Sequence, residues 1–167
     1  MSLSHHQIAL PTYIRMLGNL SAFIDKALEF CSTGKIDETV LLQTRLYPNM
    51  LPLVKQFQIA TDQAKGSIAR LSGIAAPKFA DDETTFAQLK ARIATTLDYL
   101  NGIPADALGE VKGKEVVLPW MQDHPLEGEF YLLHFAIPNV YFHVSTTYAI
   151  LRHVGVPLGK NDFIGEL

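Results

Sequence analysis

Apolar side chains recur at intervals of three and four along four stretches of this chain, the spacing that gathers them on one face of an α-helix. The first stretch carries Tyr13, Leu17, Leu20, Ile24, Ala27 and Cys31 on one stripe, with Gly34 just beyond as a C-terminal stop. The second carries Val54, Phe57, Thr61, Ala64, Ile68 and Leu71; it opens near Pro48 or Pro52 and closes at Gly73. Proline is tolerated in a first helical turn. The third runs through Phe86, Leu89, Ile93, Leu97 and Leu100 to Asn101-Gly102. Thr85-x-x-Gln88 fits a capping box there, and Asp81-Asp82-Glu83 sets negative charge near the positive end of the helix dipole. The fourth carries Val140, Val144, Thr147, Leu151 and Val154 before Gly155 and Pro157. Each narrow seam must find a facing groove, so the pattern predicts an all-α, up-and-down four-helix bundle.

The rhythm breaks twice. Residues 35–49 read as a connection with a helical turn at Glu38–Gln43. Residues 103–131 hold Pro104, Gly109, Gly113, Pro119, Pro125 and Gly128, too many breakers for a long helix. That stretch predicts an irregular or β-hairpin insertion before the last helix, with Glu115–Leu118 pairing with Glu129–Leu132. Pro138 removes one helical hydrogen bond and crowds the carbonyl four residues back, that of His134. Either the last helix begins at Pro138 or a longer helix is kinked there. The whole, residues 1–167, reads as one domain.

Charge narrows the partners. Fourteen basic residues, scattered along the chain, oppose seventeen acidic ones for a net charge of −3, which argues against nucleic-acid binding. No apolar run is long enough to span a membrane, and no leader pattern opens the chain, so a cytoplasmic location is expected. The single cysteine, Cys31, reads as a small buried hydrophobe. Ile14, Phe23 and Phe30 lie off the seam of the first helix, and that apolar surplus predicts a homodimer.

Phosphate-loop, dinucleotide, Cys-x-x-Cys, His-Glu-x-x-His and Gly-x-Ser-x-Gly motifs are all absent. The candidate chemistry sits beside the seams. Asn139 and His143 lie one turn apart on the last helix, and Asp62 lies one position off the seam of the second. If they converge, Asp62 and His143 can ligate a divalent metal through oxygen and nitrogen. Alternatively, Asp62 orients His143 as a general base. A third reading makes His143 a core histidine hydrogen-bonded to Asp62 or to a backbone carbonyl, with Asp62 free to pair with Lys65 instead. Thr61, Tyr141 and Thr146 complete the candidate ligand pocket. His5 and His6 read as inert terminal residues, His124 as a loop residue, and Trp120 with Met121 as a lid or as packing for the long connection.

Asn139-x-x-x-His143 followed by Ile150-Leu151-Arg152-His153-Val154-Gly155-Val156-Pro157 resembles the last helix of the DinB/YfiT-like superfamily. Arg45-Leu46-Tyr47-Pro48-Asn49-Met50 running into Gln58-Ile59-Ala60-Thr61-Asp62 resembles one bacterial branch of it, described only as a DinB-like domain of unknown function. Met16-Leu17-Gly18-Asn19-Leu20 fits the same branch. The resemblance implies a DinB-like four-helix bundle, often dimeric. It also implies a divalent metal, nickel or zinc, held by one histidine of the second helix and two of the last. Here His143 matches one of the three, Asn139 stands in place of another, and Asp62 lies near the third. Two of the usual histidines are therefore missing, leaving His143 and Asp62 as the metal candidates. Three functions follow as alternatives: a degenerate metal-dependent enzyme using Asp62, Asn139 and His143; a non-catalytic small-molecule-binding module; and a self-association module.

Overall fold

The computed structural model describes residues 3–165 and is mostly helical, with one small two-stranded hairpin. Four long helices, α1 (His5–Gly34), α3 (Leu53–Ser72), α4 (Phe86–Asn101) and α6 (Ile137–His153), carry the four predicted seams. Short helices α2 (Glu38–Leu42), α5 (Gly128–Phe130) and α7 (Lys160–Ile164) add to them, so the helix count exceeds the four expected. α3 packs against α4 on one side and α6 on the other, and α1 does the same from the opposite side. Leu17, Phe57, Ile93 and Val144, one from each seam, are all buried in the resulting core. No helix among the described residues is long and apolar enough to cross a membrane.

Local chemistry sets the ends. Ser4 and Gln7 form a capping box that starts α1 two turns before its seam becomes regular, and the helix runs on through Pro11. His5 and His6 are thereby part of the fold: the His5 ring nitrogen lies 3.1 Å from Glu129 and that of His6 lies 3.2 Å from the Ile103 carbonyl. α4 opens on the Thr85–Gln88 box expected for it. Its first free N–H, on Phe86, donates to the Glu38 carboxylate at 2.7 Å, which ties α2 to this end of α4.

The hairpin departs from expectation in its second strand. β1 (Glu115–Leu118) is where the pattern put it, but its antiparallel partner is β2 (Met121–Glu127), with Glu115 opposite Glu127 and Val116 opposite Leu126. The segment from Glu129 to Leu132 is helical instead. Glu127 caps that turn by accepting the Phe130 N–H, and Gly128 sits so close to the Val111 carbonyl that an added Cβ would lie 2.4 Å from it. A side chain at that position would force the backbone apart.

Pro138 does not begin the last helix. Helical backbone runs from Gly128 to His153, and residues Tyr131–Ala136 form a π-helical stretch in which the Ile137 N–H reaches back five residues to the Leu132 carbonyl. The widened turn just before Pro138 relieves the crowding that a proline imposes on the carbonyl four residues earlier. Tyr131 and Phe135 stack inside it at 5.7 Å between ring centroids, and Trp120 of the hairpin turn lies over Phe135 at 6.4 Å.

The surplus apolar residues of α1 are absorbed by the fold. Phe23 is fully buried against Tyr148, and Ile14 and Phe30 pack partly buried against the core. Of the three, Ile14 and Phe30 keep part of their surface exposed.

Candidate functional site

His143 projects from α6 toward α3 and is 9 % exposed. Its Nδ1 lies 2.8 Å from Oε1 of Gln56, which is 2 % exposed. Gln56 in turn donates from Nε2 to the Leu51 carbonyl at 2.9 Å. That second bond fixes the amide: the opposite orientation would set two oxygens against each other. With Oε1 facing the ring, Nδ1 must carry the proton, and the other ring nitrogen is left with a lone pair. Nε2 has no hydrogen-bond partner among the described residues, and it is not sealed from solvent. Burial pulls the His143 pKa down from 6.5 to about 4, so the ring is neutral at physiological pH.

The other predicted residues distribute differently. Asn139, one turn before His143, is half-buried. Thr146 is buried and spends its hydroxyl on the Phe142 carbonyl, while Tyr141 is 38 % exposed. Phe142 is 57 % exposed and meets the His143 ring edge-on at 5.2 Å, and Leu51 is 47 % exposed. Phe142 thus borders the Gln56–His143 pair.

Asp62 and Thr61 face another helix. Asp62 lies six residues after Gln56, about 9 Å further along α3 and roughly 240° around it. That rotation carries it away from α6 and toward α4, where its carboxylate pairs with Arg92 at 2.7 Å and with Lys65 at 2.9 Å. The partners found for Asp62 and His143 are therefore separate.

Arg92, whose side chain is 1 % exposed, is the centre of this second cluster. Nε donates to Thr61 Oγ1 at 2.7 Å; Nη1 donates to Asp81 and to Glu83, the latter at 2.9 Å; Nη2 donates to the Gln58 carbonyl at 3.1 Å and lies 2.7 Å from the Asp62 carboxylate as an ion pair. Four hydrogen bonds and the ion pair to Asp62 hold the guanidinium, and the Phe79 ring lies 4.3 Å from its central carbon. Burial pulls the Arg92 pKa down, but the carboxylates outweigh it and the net shift is upward. Burial likewise pushes Glu83 up, yet hydrogen bonds from Arg92 and Gln58 hold its carboxyl below the usual range. The charges of this cluster are engaged with one another, so it clasps the α3–α4 loop.

Gln56 and Arg92 were the residues that periodicity did not single out. Each is one position before a seam residue, Phe57 and Ile93, which is the signal that would have found them. A cavity of about 540 Å³ also lies beside α2, lined by Thr39, Val40, Leu42, Gln43, Thr44 and Thr84. The hydroxyls of Thr39, Thr44 and Thr84 already engage Asp37, the Val40 carbonyl and Gln88, and none of the candidate residues lines it.

Comparison with known proteins bears on what this site is. The family described as domain of unknown function DUF1993 matches residues 5–164. The chain belongs to that family. It is also similar to a solved structure, that of a DinB family member protein from Shewanella denitrificans. The two share 41 % identity over 97 % of this chain and 92 % of the other, with a TM-score of 0.93. No curated protein matches it. The DinB-like resemblance read from the sequence is thus shown by both family and structure.

The metal that the superfamily implies does not fit the residues present. Among the described residues no three His, Cys, Asp or Glu side chains group to hold an ion. Near His143 the remaining polar groups are the amides of Gln56 and Asn139, and neutral amides are poor ligands for nickel or zinc. Asp62 is already neutralised by two cations.

Proposed function

We propose that this protein is a small-molecule-binding module on the DinB-type four-helix bundle, with its binding site at His143, Gln56 and Asn139 and no metal in its mechanism. α1, α3, α4 and α6 constitute the bundle, and the short elements decorate it. One observation carries the reading: the buried imidazole is hydrogen-bonded to an amide and keeps one unpartnered nitrogen in contact with solvent. A solvent-facing lone pair held beside a fixed amide is an acceptor that a ligand can reach. A general base would hold a pKa near working pH, whereas burial pushes this one down to about 4. Fragment screening by protein NMR tests the reading. Resonances of His143 and Phe142 should move together with bound fragments, and a screen in which they never move would end it.

Self-association is a second reading, favoured by the exposure of Phe142 beside the site. Light scattering separates the two. A concentration-dependent doubling of mass that Phe142→Ser abolishes would assign the rim to a second copy, and a monomer throughout would leave it to a ligand.

A further inference from the structure

Gln56 does more than satisfy a buried ring. Its amide is locked between the Leu51 carbonyl and the imidazole, at 2.9 Å and 2.8 Å. Because Nε2 of Gln56 must donate to a backbone carbonyl, only its Oε1 can face the ring. An oxygen at hydrogen-bond distance requires a proton on Nδ1 of His143. The imidazole is therefore held in one tautomer, with the Nε2 lone pair as the hydrogen-bonding group that it offers outward. Free histidine in water favours the opposite tautomer, so the preference has to come from Gln56.

Resting on the reading of His143 as a binding site, we infer that Gln56 is a positioning residue that selects the ligand class: a neutral molecule donating one N–H or O–H to His143 Nε2, with an apolar body against Phe142. Three features of the site converge on this. The lone pair accepts and cannot donate. The hydrogen bonds of the pair are to each other and to backbone, with no cation among them to attract an anion. The ring that meets His143 edge-on, Phe142, is apolar and 57 % exposed. A carboxylate or phosphate ligand would meet a lone pair with a negative oxygen, and lose.

The test uses nitrogen and carbon NMR of the histidine rings in the intact protein, with phenol and benzoate as probes. The unmodified protein should show His143 as the Nδ1–H tautomer at neutral pH. Gln56→Leu should shift it toward Nε2–H, and Gln56→Glu, which restores an acceptor, should return it. Phenol should move the His143 Nε2 resonance, with roughly five- to tenfold weaker binding in Gln56→Leu, the loss of one neutral hydrogen bond. Benzoate should leave it in place. An Nε2–H tautomer in the unmodified protein would overturn the role of Gln56, even if variants fail to fold. Equal responses to phenol and benzoate would overturn the ligand class while leaving the binding site standing. The expected tautomer with no response to either probe would instead remove the binding site itself.

Discussion

Replacing Arg92 by Met should be among the most damaging single changes in this protein. The methionine keeps most of the length and apolar stem of the side chain while deleting five donors. Their acceptors then differ in what they lose. Asp62 and Asp81 have side chains 37 % and 42 % exposed and can be rehydrated, so the loss of those pairs contributes little. Glu83 is 9 % exposed and keeps only Gln58 as a side-chain donor, which leaves a buried carboxylate without its cation. Removing one partner of a buried pair destabilises by about 3–5 kcal/mol. With two of the three carboxylates discounted, the lower end applies, about 3 kcal/mol. For a chain of this length that corresponds to a fall in Tm of roughly 6–12 °C. Urea unfolding followed by circular dichroism measures it, and adding Glu83→Gln should recover part of the loss, because the orphaned charge is then gone. A loss below about 1 kcal/mol for Arg92→Met would refute the reasoning, since it would place the guanidinium in solvent.

Phe57, fully buried and edge-on to Phe86 at 6.4 Å, should cost about 3–5 kcal/mol when truncated to Ala, again by denaturant unfolding; a value near zero would mean its helix is rotated. Stability should fall with acidification in two stages. Because His143 titrates lower folded (about 4) than unfolded (6.5), the unfolded chain binds more protons between these values, and about 3 kcal/mol is lost as pH falls from 6.5 toward 4. His143→Gln should flatten the unfolding midpoint over that range. Glu83, whose folded pKa is depressed, contributes stability above its ordinary value of 4.5 that is lost below it, and Glu83→Gln should remove that lower stage.

Much of the fold could be read from periodicity because burial in a helix is one-sided. Val54, Phe57, Ala64, Ile68 and Leu71 are all buried, and the intervening polar residues turn to solvent or to neighbouring helices. Capping was equally legible at Thr85–Gln88, since it depends on residues three apart. The hairpin was half legible. Tyr131 and Leu132 form an apolar run that suits a strand as well as a buried helix, and both are buried here in helical backbone. The π-helical stretch was outside any periodic signal, although Pro138 marked the place. At the site the limit was rotational. Sequence shows that Gln56, Gln58 and Asp62 lie near the seam, but which of them faces α6 depends on how α3 is turned between its two neighbours. It turns Gln56 to His143 and Asp62 to Arg92.

The central claim is that this DinB-like site binds through an imidazole–amide pair rather than through a metal. Calorimetric titration of nickel and zinc into untagged protein, with His143→Ala as control, tests it most directly. No binding that depends on His143 is expected at about micromolar metal, because one imidazole and neutral amides are a poor donor set. One equivalent bound at micromolar affinity or tighter, and lost in His143→Ala, would contradict it.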